Sequence, residues 1–361
     1  MKLNFKFAVA SDLHIALPNT ILDRANRFHL VEVSIPAFES VLEHLARLKI
    51  DFLLIPGDLT QDGEPENHAW LSERLAELPY PVYVIPGNHD VPVLDKSERA
   101  IASQEFPHYY THCGYDRPEQ LYYTHQILPH VRLIGLNSNQ FDTDGKQLGR
   151  LDEPQLNWLK DVLANAREEL ILLTIHHNVI EHLPGQATNP LGRRYMLENA
   201  EKLLEILQKA GVKLIFTGHL HVQDIAEQNG IYEITTGSLV SYPHPYRIID
   251  FNSDEGGKQS LKIESHFIKS VPGWSELAEK SREWLGDRSF PFMFKLLNNP
   301  PLKLPAEEAE QLAPHLRYFW ADVAGGDATF DFPDFPPKAR RFFQRFSAEE
   351  KIDNNATLIL N

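Results

Sequence analysis

Short apolar runs alternate with amphipathic segments along the first two thirds of the chain. The apolar runs lie at residues 4–10, 52–55, 82–85, 170–175 and 212–216. The segments with helical spacing lie at residues 31–48, 65–78, 152–163 and 195–210. Continuous apolar runs of this length are typical of strands that are buried on both faces. The alternation therefore predicts an α/β sheet whose parallel strands are joined by right-handed crossovers.

The pattern changes after residue 221. Strand-like segments follow at residues 222–228, 231–236, 246–251 and 260–268, and Asn229-Gly230 predicts a hairpin turn between the first two. From about residue 271 the chain is rich in aromatic residues and proline, too rich for a disordered tail. We expect two packed sheets with flanking helices over residues 1–270. Residues 271–361 should form a mostly helical extension packed on the core or a partner, with its aromatic residues buried in packing rather than capping a substrate.

Five of the apolar runs end in residue types that bind metal ions. The clusters contain Asp12 and His14, Asp58, Asn88-His89-Asp90, His176-His177, and His219 and His221. Ligands of α/β sheets bind beyond the carboxyl ends of the strands, so the five clusters can converge on one crevice. Nitrogen and oxygen ligands without sulfur suit Mn, Fe, Zn or Mg.

Two of these clusters place candidate ligands at alternate positions, namely Asp12 with His14 and His219 with His221. Alternate side chains of an extended backbone point to the same side, so each pair can bind one ion. Gly218 precedes the second pair directly, and glycine permits the close backbone approach that a ligand loop needs.

The composition narrows the range of partners. The formal net charge of -15 argues against broad binding to nucleic acid or to an anionic membrane surface. A small anionic substrate remains compatible with it, because divalent cations would reverse the local field. The single cysteine, Cys113, excludes an internal disulfide and fits a reducing compartment. No signal peptide or membrane-spanning run is evident, so we expect a cytoplasmic protein.

Taken together, the clusters resemble the calcineurin-like metallophosphoesterase family. That family carries D-x-H, G-D, G-N-H-[DE], a histidine near a strand end and G-H-x-H, and all five occur here in this order over roughly residues 7–221. The resemblance implies a four-layer α/β/β/α sandwich and two divalent or trivalent metal ions, with Mn, Fe or Zn favoured over Mg. It implies that one ion is held by Asp12, His14 and His221, the other by Asn88, His176 and His219, and that Asp58 bridges them.

The two residues that follow Asn88, His89 and Asp90, are candidates for catalysis. Two metal ions can clamp a phosphate and activate water. His89 could then contact a phosphate oxygen or protonate the leaving alkoxide, and Asp90 could orient the His89 imidazole. Within the His-His pair the resemblance favours His176 as the ligand and leaves a contribution of His177 open. The sequence departs from many relatives at Gln61, where they carry an acidic residue.

The segment 57–64 and Thr236-Gly237-Ser238 resemble the cyclic-nucleotide phosphodiesterase branch of the family. We therefore expect a metal-bridging hydroxide to hydrolyse a small phosphodiester, such as a cyclic nucleotide. The alternatives are a phosphomonoesterase or a phospholipid-head-group hydrolase and, outside enzymes, a catalytically silent scaffold of the same fold. Retention of every ligand and of His89 argues against the scaffold. Nucleic acid is not an expected partner, and a homo-oligomer formed through the extension is left open.

Overall fold

The computed structural model of this protein describes residues 3–22, 27–166, 170–254 and 256–360. The strands in these ranges are β1 (Asn4–Val9), β2 (Phe52–Ile55), β3 (Val82–Val84), β4 (Tyr123–Leu128), β5 (Val131–Gly135), β6 (Asn139–Phe141), β7 (Gln147–Gly149), β8 (Leu170–Thr174), β9 (Leu214–Thr217), β10 (Asp224–Gln228), β11 (Ile231–Thr235), β12 (Pro245–Ser253), β13 (Gln259–Phe267) and β14 (Asn355–Leu360). The α-helices are α1 (Ser34–Leu45), α2 (Pro65–Ala76), α3 (Phe106–Tyr109), α4 (Glu153–Asn165), α5 (Pro190–Arg193), α6 (Ala200–Ala210), α7 (Leu277–Asn298), α8 (Ala306–Leu312), α9 (Phe319–Gly325) and α10 (Pro337–Gln344).

Most of these strands form two six-stranded sheets. The first has the order β14-β13-β12-β1-β2-β3, and the second has the order β10-β11-β9-β8-β5-β4. The neighbours β1, β2 and β3 are parallel, as are β5, β8, β9 and β11. The predicted hairpin is present, since β10 and β11 are antiparallel and both Asn229 and Gly230 have positive φ. The strand–helix alternation of the sequence is thus confirmed.

The second sheet is buried on both faces, which explains its continuous apolar runs. Leu172 and Leu214 pack in the cluster that contains the first sheet. Their neighbours Leu173 and Ile215 pack in a second cluster with the leucines of α4 and α6. The rings of Phe7 and Phe216 meet edge to face at 5.5 Å between the two sheets. The predicted α/β/β/α sandwich is therefore confirmed.

Several elements differ from the sequence-based expectation. The strands β4 and β5 were not predicted, although β5 pairs with β8 inside the second sheet. Helix α6 begins at Ala200 rather than at residue 195. The chain also ends in a strand, because β14 pairs with β13 at the edge of the first sheet.

Helices α7 to α10 form a third hydrophobic cluster, which is rich in phenylalanine. The cluster includes Leu220 and Val222, which lie beside His219 and His221 in the chain. The mostly helical extension therefore packs directly against one of the candidate ligand loops. None of the helices in the described ranges combines the length and the apolar character that a membrane crossing requires.

Candidate metal centre

The candidate ligands lie on tight turns at the carboxyl ends of the strands. Asp12, His14, Asp58, His219 and His221 all have φ between 44° and 67°. They are five of the ten non-glycine residues with positive φ in the described part of the chain. This left-handed conformation is unfavourable for residues that carry a Cβ, and it persists where the surrounding structure enforces it. Such strain is typical of functional sites.

One group of candidate donors surrounds Asp12 and His14. Ligand atoms of Asp12, His14, Asp58 and His221 all lie within 4.8 Å of one another. His221 Nε2 is 3.1 Å from Asp12 Oδ1 and 3.4 Å from His14 Nε2, and His14 Nε2 is 3.8 Å from Asp58 Oδ2. Asp12, His14 and Asp58 are almost completely buried. Four donors from three strand ends therefore face one small volume.

A second group shares Asp58. Ligand atoms of Asp58, His176 and His219 lie within 4.8 Å of one another. His176 Nε2 is 3.4 Å from Asp58 Oδ2 and 3.2 Å from Asn88 Oδ1. Asp58 thus belongs to both groups, and Asn88 borders the second.

The alternate spacing would allow His219 and His221 to bind one ion together, but the structure places them in different groups. His219 belongs to the group of Asp58 and His176, whereas His221 belongs to the group of Asp12 and His14. Extended backbone would have aligned the two side chains, but both residues have left-handed φ, so their side chains diverge. The division agrees with the one that the family resemblance implies.

The chemistry of the second group fits a bound cation. His176 Nδ1 lies 2.8 Å from the carbonyl oxygen of Pro56, which can only accept, so Nδ1 carries a proton and Nε2 faces Asp58 and Asn88. Burial lowers the pKa of His176, but the charge and hydrogen bond of Asp58 outweigh it and raise the pKa to about 9. The pocket therefore attracts positive charge at a position where a metal ion could replace a proton.

Two other imidazoles of the donor groups, those of His14 and His219, are held neutral. Burial, together with the neighbouring His29 and His89, lowers the pKa of His14 well below its ordinary value. Burial and the neighbouring His177 and His176 do the same for His219. Neutral imidazole is the form that binds metal, so these side chains suit ligation near neutral pH.

Two glycines are required by close packing at the ligands. A Cβ on Gly218 would lie 2.2 Å from Ser11 Oγ and 2.4 Å from Asp12 Oδ2. A Cβ on Gly87 would lie 2.2 Å from Asp58 Oδ1. Any side chain at either position would displace a candidate ligand.

The proposed orientation of His89 by Asp90 is corrected. His89 Nδ1 lies 2.6 Å from the carbonyl oxygen of Gln61. The buried Asp90 carboxylate instead accepts hydrogen bonds from the backbone N–H groups of Leu59, Thr60 and Gly87 and from the Thr60 hydroxyl. Burial and the charge of Asp58 raise the pKa of Asp90, and the backbone donors oppose that shift. Asp90 therefore ties the loop of Asp58 to the loop of Asn88.

His29 has no ligand spacing in the sequence and was not predicted as a site residue. Its ring stacks on His14 at 4.5 Å and lies 4.7 Å from the ring of His221, and together the three residues form a further group of possible ligands. Its Nδ1 lies 3.3 Å from Ser241 Oγ. His29 follows no ligand spacing because a loop, and not a strand end, brings it to the site.

His177 lies beside the second group but outside it. Its Nδ1 is 2.7 Å from Ser138 Oγ, and its ring is 4.3 Å from the ring of His219. Burial and the neighbouring His176 lower the pKa of His177 to about 3. A neutral His177 thus packs against a candidate ligand.

A buried ionic network supports the loop that follows His177. His182 Nδ1 lies 2.6 Å from Asp224 Oδ2, and its Nε2 lies 3.0 Å from Glu233 Oε1. Glu233 also accepts hydrogen bonds from the backbone N–H groups of Val179 and Ile180. Burial lowers the pKa of His182, but the two carboxylates more than offset it and raise the pKa to about 10. The loop is therefore held by a charged histidine.

The two groups open into a cavity of about 500 Å³. Asp58, Asn88 and His89 line one side of it, together with His219 and His221. Residues of the segment 183–195 and of the C-terminal extension also line it. The aromatic extension, expected to serve only in packing, thus also borders the candidate site.

Residues 5–223 match the family model described as calcineurin-like phosphoesterase. The chain belongs to the calcineurin-like phosphoesterase family. It is thereby a phosphoric ester hydrolase, and its His and Asp groups fit the dinuclear metal site of a metallophosphoesterase.

Relatives within this family carry phosphodiesterase names. The chain is 29% identical over 234 residues to the probable glycerophosphodiester phosphodiesterase GpdQ of Arcobacter nitrofigilis, covering 63% of this chain and 76% of the relative. It is 27% identical over 246 residues to the 3',5'-cyclic adenosine monophosphate phosphodiesterase CpdA of Haemophilus influenzae, covering 67% and 75%. Among solved structures, it is similar to GAP50, the anchor in the inner membrane complex of Plasmodium, at 14% identity and a TM-score of 0.47, covering 73% of this chain and 88% of that chain.

Proposed function

We propose that this protein hydrolyses a phosphodiester at the candidate metal centre. The observation that carries the proposal is the pair of donor groups that share Asp58 at the side of one cavity. In this proposal the ligands of one ion are Asp12, His14 and His221, those of the other are Asn88, His176 and His219, and Asp58 bridges the two. When bound, two such ions would hold phosphate oxygens and activate a water molecule.

His89 is proposed to act on the substrate directly. Its backbone N–H donates to Asp58 Oδ1 at 2.8 Å, which fixes its position beside the donor groups. Its Nδ1 faces the Gln61 carbonyl oxygen, so its Nε2 is the atom available to the substrate. From there it can contact a phosphate oxygen or give a proton to the leaving alkoxide. Asp90 is proposed as a positioning residue, because it holds the two ligand loops together.

A diester is favoured over a monoester by the names of the two relatives, one for a glycerophosphodiester and one for a cyclic nucleotide. Both compounds belong in the first substrate panel, together with bis-p-nitrophenyl phosphate. Mn, Fe and Zn are the metals to compare, because the donor set contains only imidazole, carboxylate and amide groups.

The test combines metal analysis with turnover. We expect Mn-loaded protein to hydrolyse bis-p-nitrophenyl phosphate, and we expect Asn88→Ala and His89→Ala each to lower kcat/KM by at least about 100-fold. Asn157→Ala, at an exposed position on α4, is the matched control and should retain activity. Circular dichroism would verify that the variants fold. Absence of bound metal and of turnover in the wild type would refute the proposal and favour a silent scaffold.

A further inference from the structure

Two chemically different sets of residues line the cavity. Besides the donor groups, the lining includes Leu183, Leu191 on α5 and four aromatic residues of the extension, and we call these six residues the apolar wall. The aromatic members are Phe292 on α7, Phe319 and Trp320 on α9, and Phe346 after α10. A concave site with an apolar surface and a few convergent polar groups is typical of small-molecule binding.

The apolar wall is built into the fold. All six residues belong to, or pack against, the hydrophobic cluster of the extension. Phe319 is 3% exposed and packs with Phe343 at 5.0 Å, and Trp320 meets Phe292 edge to face at 5.6 Å. The wall is thus held in place without a ligand.

Two neutral polar side chains that line the cavity, Gln186 and Gln147, are engaged within the protein. Gln186 is 1% exposed, accepts hydrogen bonds from the backbone N–H groups of His182 and Leu183, and donates to Asn178. Gln147 donates to two backbone carbonyl groups, those of Asn88 and Val91. A sugar or glycerol group placed here would therefore lose water without gaining full replacement of its hydrogen bonds.

Charged groups do border the cavity, but at exposed positions. Lys146 and Arg194 are both exposed, and the Arg194 guanidinium lies 4.7 Å from the centre of the Tyr195 ring. In a protein of net charge -15, these cations favour the approach of an anionic ester. Their exposure leaves the apolar character of the wall unchanged.

We propose that the substrate is a phosphoester whose organic group next to the wall is apolar, an alkyl or aryl group rather than a glycerol or nucleoside. This inference rests on the proposed function, because the phosphate of the same molecule must lie at the donor groups. The wall and the donor groups line one cavity, so a single small ligand can contact both. The apolar wall then determines which organic group is bound, and the donor groups hold the metal ions at which the ester is hydrolysed.

The test measures binding of n-alkylphosphonates to Mn-loaded protein by calorimetry. These probes carry one organic group and a P–C bond that hydrolysis does not cleave. Each methylene group that leaves water should tighten binding by about fourfold, so burial of two to three of them predicts about 15- to 60-fold between methyl- and hexylphosphonate. Butylphosphonate should bind about tenfold more tightly than 3-hydroxypropylphosphonate, which has nearly the same size.

Variants test whether the dependence of affinity on chain length arises at the apolar wall. Phe292→Ala should weaken hexylphosphonate binding by about tenfold and leave methylphosphonate binding within about twofold. Phe290→Ala is the matched control, since Phe290 is 42% exposed on the same helix and is not a lining residue. Trp320→Leu gives a second measurement if Phe292→Ala fails to fold.

The outcomes separate this inference from the proposed function. If the protein hydrolyses bis-p-nitrophenyl phosphate but its affinity for the phosphonates does not depend on chain length, the proposed apolar substrate is refuted. The proposed hydrolase activity would still stand. Chain-length dependence without turnover of any diester would support the wall and overturn hydrolysis. Equal losses in Phe292→Ala and Phe290→Ala would contradict the assignment to the wall.

Discussion

Replacement of Asp90 by asparagine tests whether this side chain supports the site or takes part in chemistry. The carboxylate is fully buried, and each oxygen accepts two hydrogen bonds. Oδ1 accepts from the backbone N–H and the hydroxyl of Thr60, and Oδ2 accepts from the backbone N–H groups of Leu59 and Gly87. An amide offers one oxygen and one NH2 group, so it cannot satisfy all four donors.

The expected loss of stability can be worked out from the better of the two orientations that the asparagine amide can adopt. With its NH2 group towards Thr60, the variant keeps both bonds of the amide oxygen, and the Thr60 hydroxyl can rotate to accept. The backbone N–H of Thr60 is then left facing another donor. A buried, unpaired N–H costs about 1–3 kcal/mol, so we expect the free energy of unfolding to fall by that amount. Because the tied loops carry Asp58 and Asn88, Mn affinity should fall by about 10- to 100-fold.

Urea unfolding and Mn calorimetry on wild type and Asp90→Asn provide the measurement, at an alkaline pH where the carboxylate is ionised. Asp161→Asn, at an exposed position on α4, is the control and should change the unfolding free energy by less than ~0.5 kcal/mol. If Asp90→Asn keeps wild-type stability and Mn affinity but loses kcat at saturating Mn, Asp90 acts in the reaction itself and the positioning role is refuted.

Three further outcomes are expected. Gly218→Ala should lower Mn affinity by about 10- to 100-fold because its Cβ displaces Asp12, whereas Gly325→Ala, which has open space around it, should not; equal affinities would refute this steric effect. The folded-state pKa of His182 is raised to about 10 from an ordinary 6.5, so its stabilising effect is complete below pH 6.5 and is lost as pH rises towards 10. Unfolding free energies measured over this range should fall more steeply for wild type than for His182→Asn, and parallel curves would contradict the assigned charge. Leu220→Ala should lower the free energy of unfolding by about 2–5 kcal/mol in urea, and a much smaller loss would mean that the extension packs only loosely on this loop.

The elements that were predictable are those whose burial leaves a periodic signal. The run Phe52–Ile55 is buried at every position, and β2 has the predicted bounds. The helix after it was predicted to within two residues, because Pro65 marks its first turn. Strand β5 is also an apolar run with mostly buried residues, so residues 131–135 could have been used to predict it.

The sequence predicted those site residues that directly follow a buried strand. The division of His219 and His221 between two groups depends on left-handed backbone, which a spacing rule for extended chain cannot express. The partner of Asp90 depends on how two loops meet, and the position of His29 depends on a loop that carries no ligand pattern. Trp320 is one of the aromatic residues of the extension that were expected to be buried in packing, and only the three-dimensional structure shows that it also lines the cavity.

The pairing of β14 with β13 constrains how the cavity can open. The extension leaves the first sheet after Phe267 and returns to it at Asn355, so both of its ends are anchored on the same strand. An outward movement of the extension would therefore have to turn at both connections to β13 and also separate its cluster from Leu220 and Val222 of the ligand loop. The pairing of the last described strand thus stabilises the position of aromatic residues that border the cavity, and with it the space beside the donor groups.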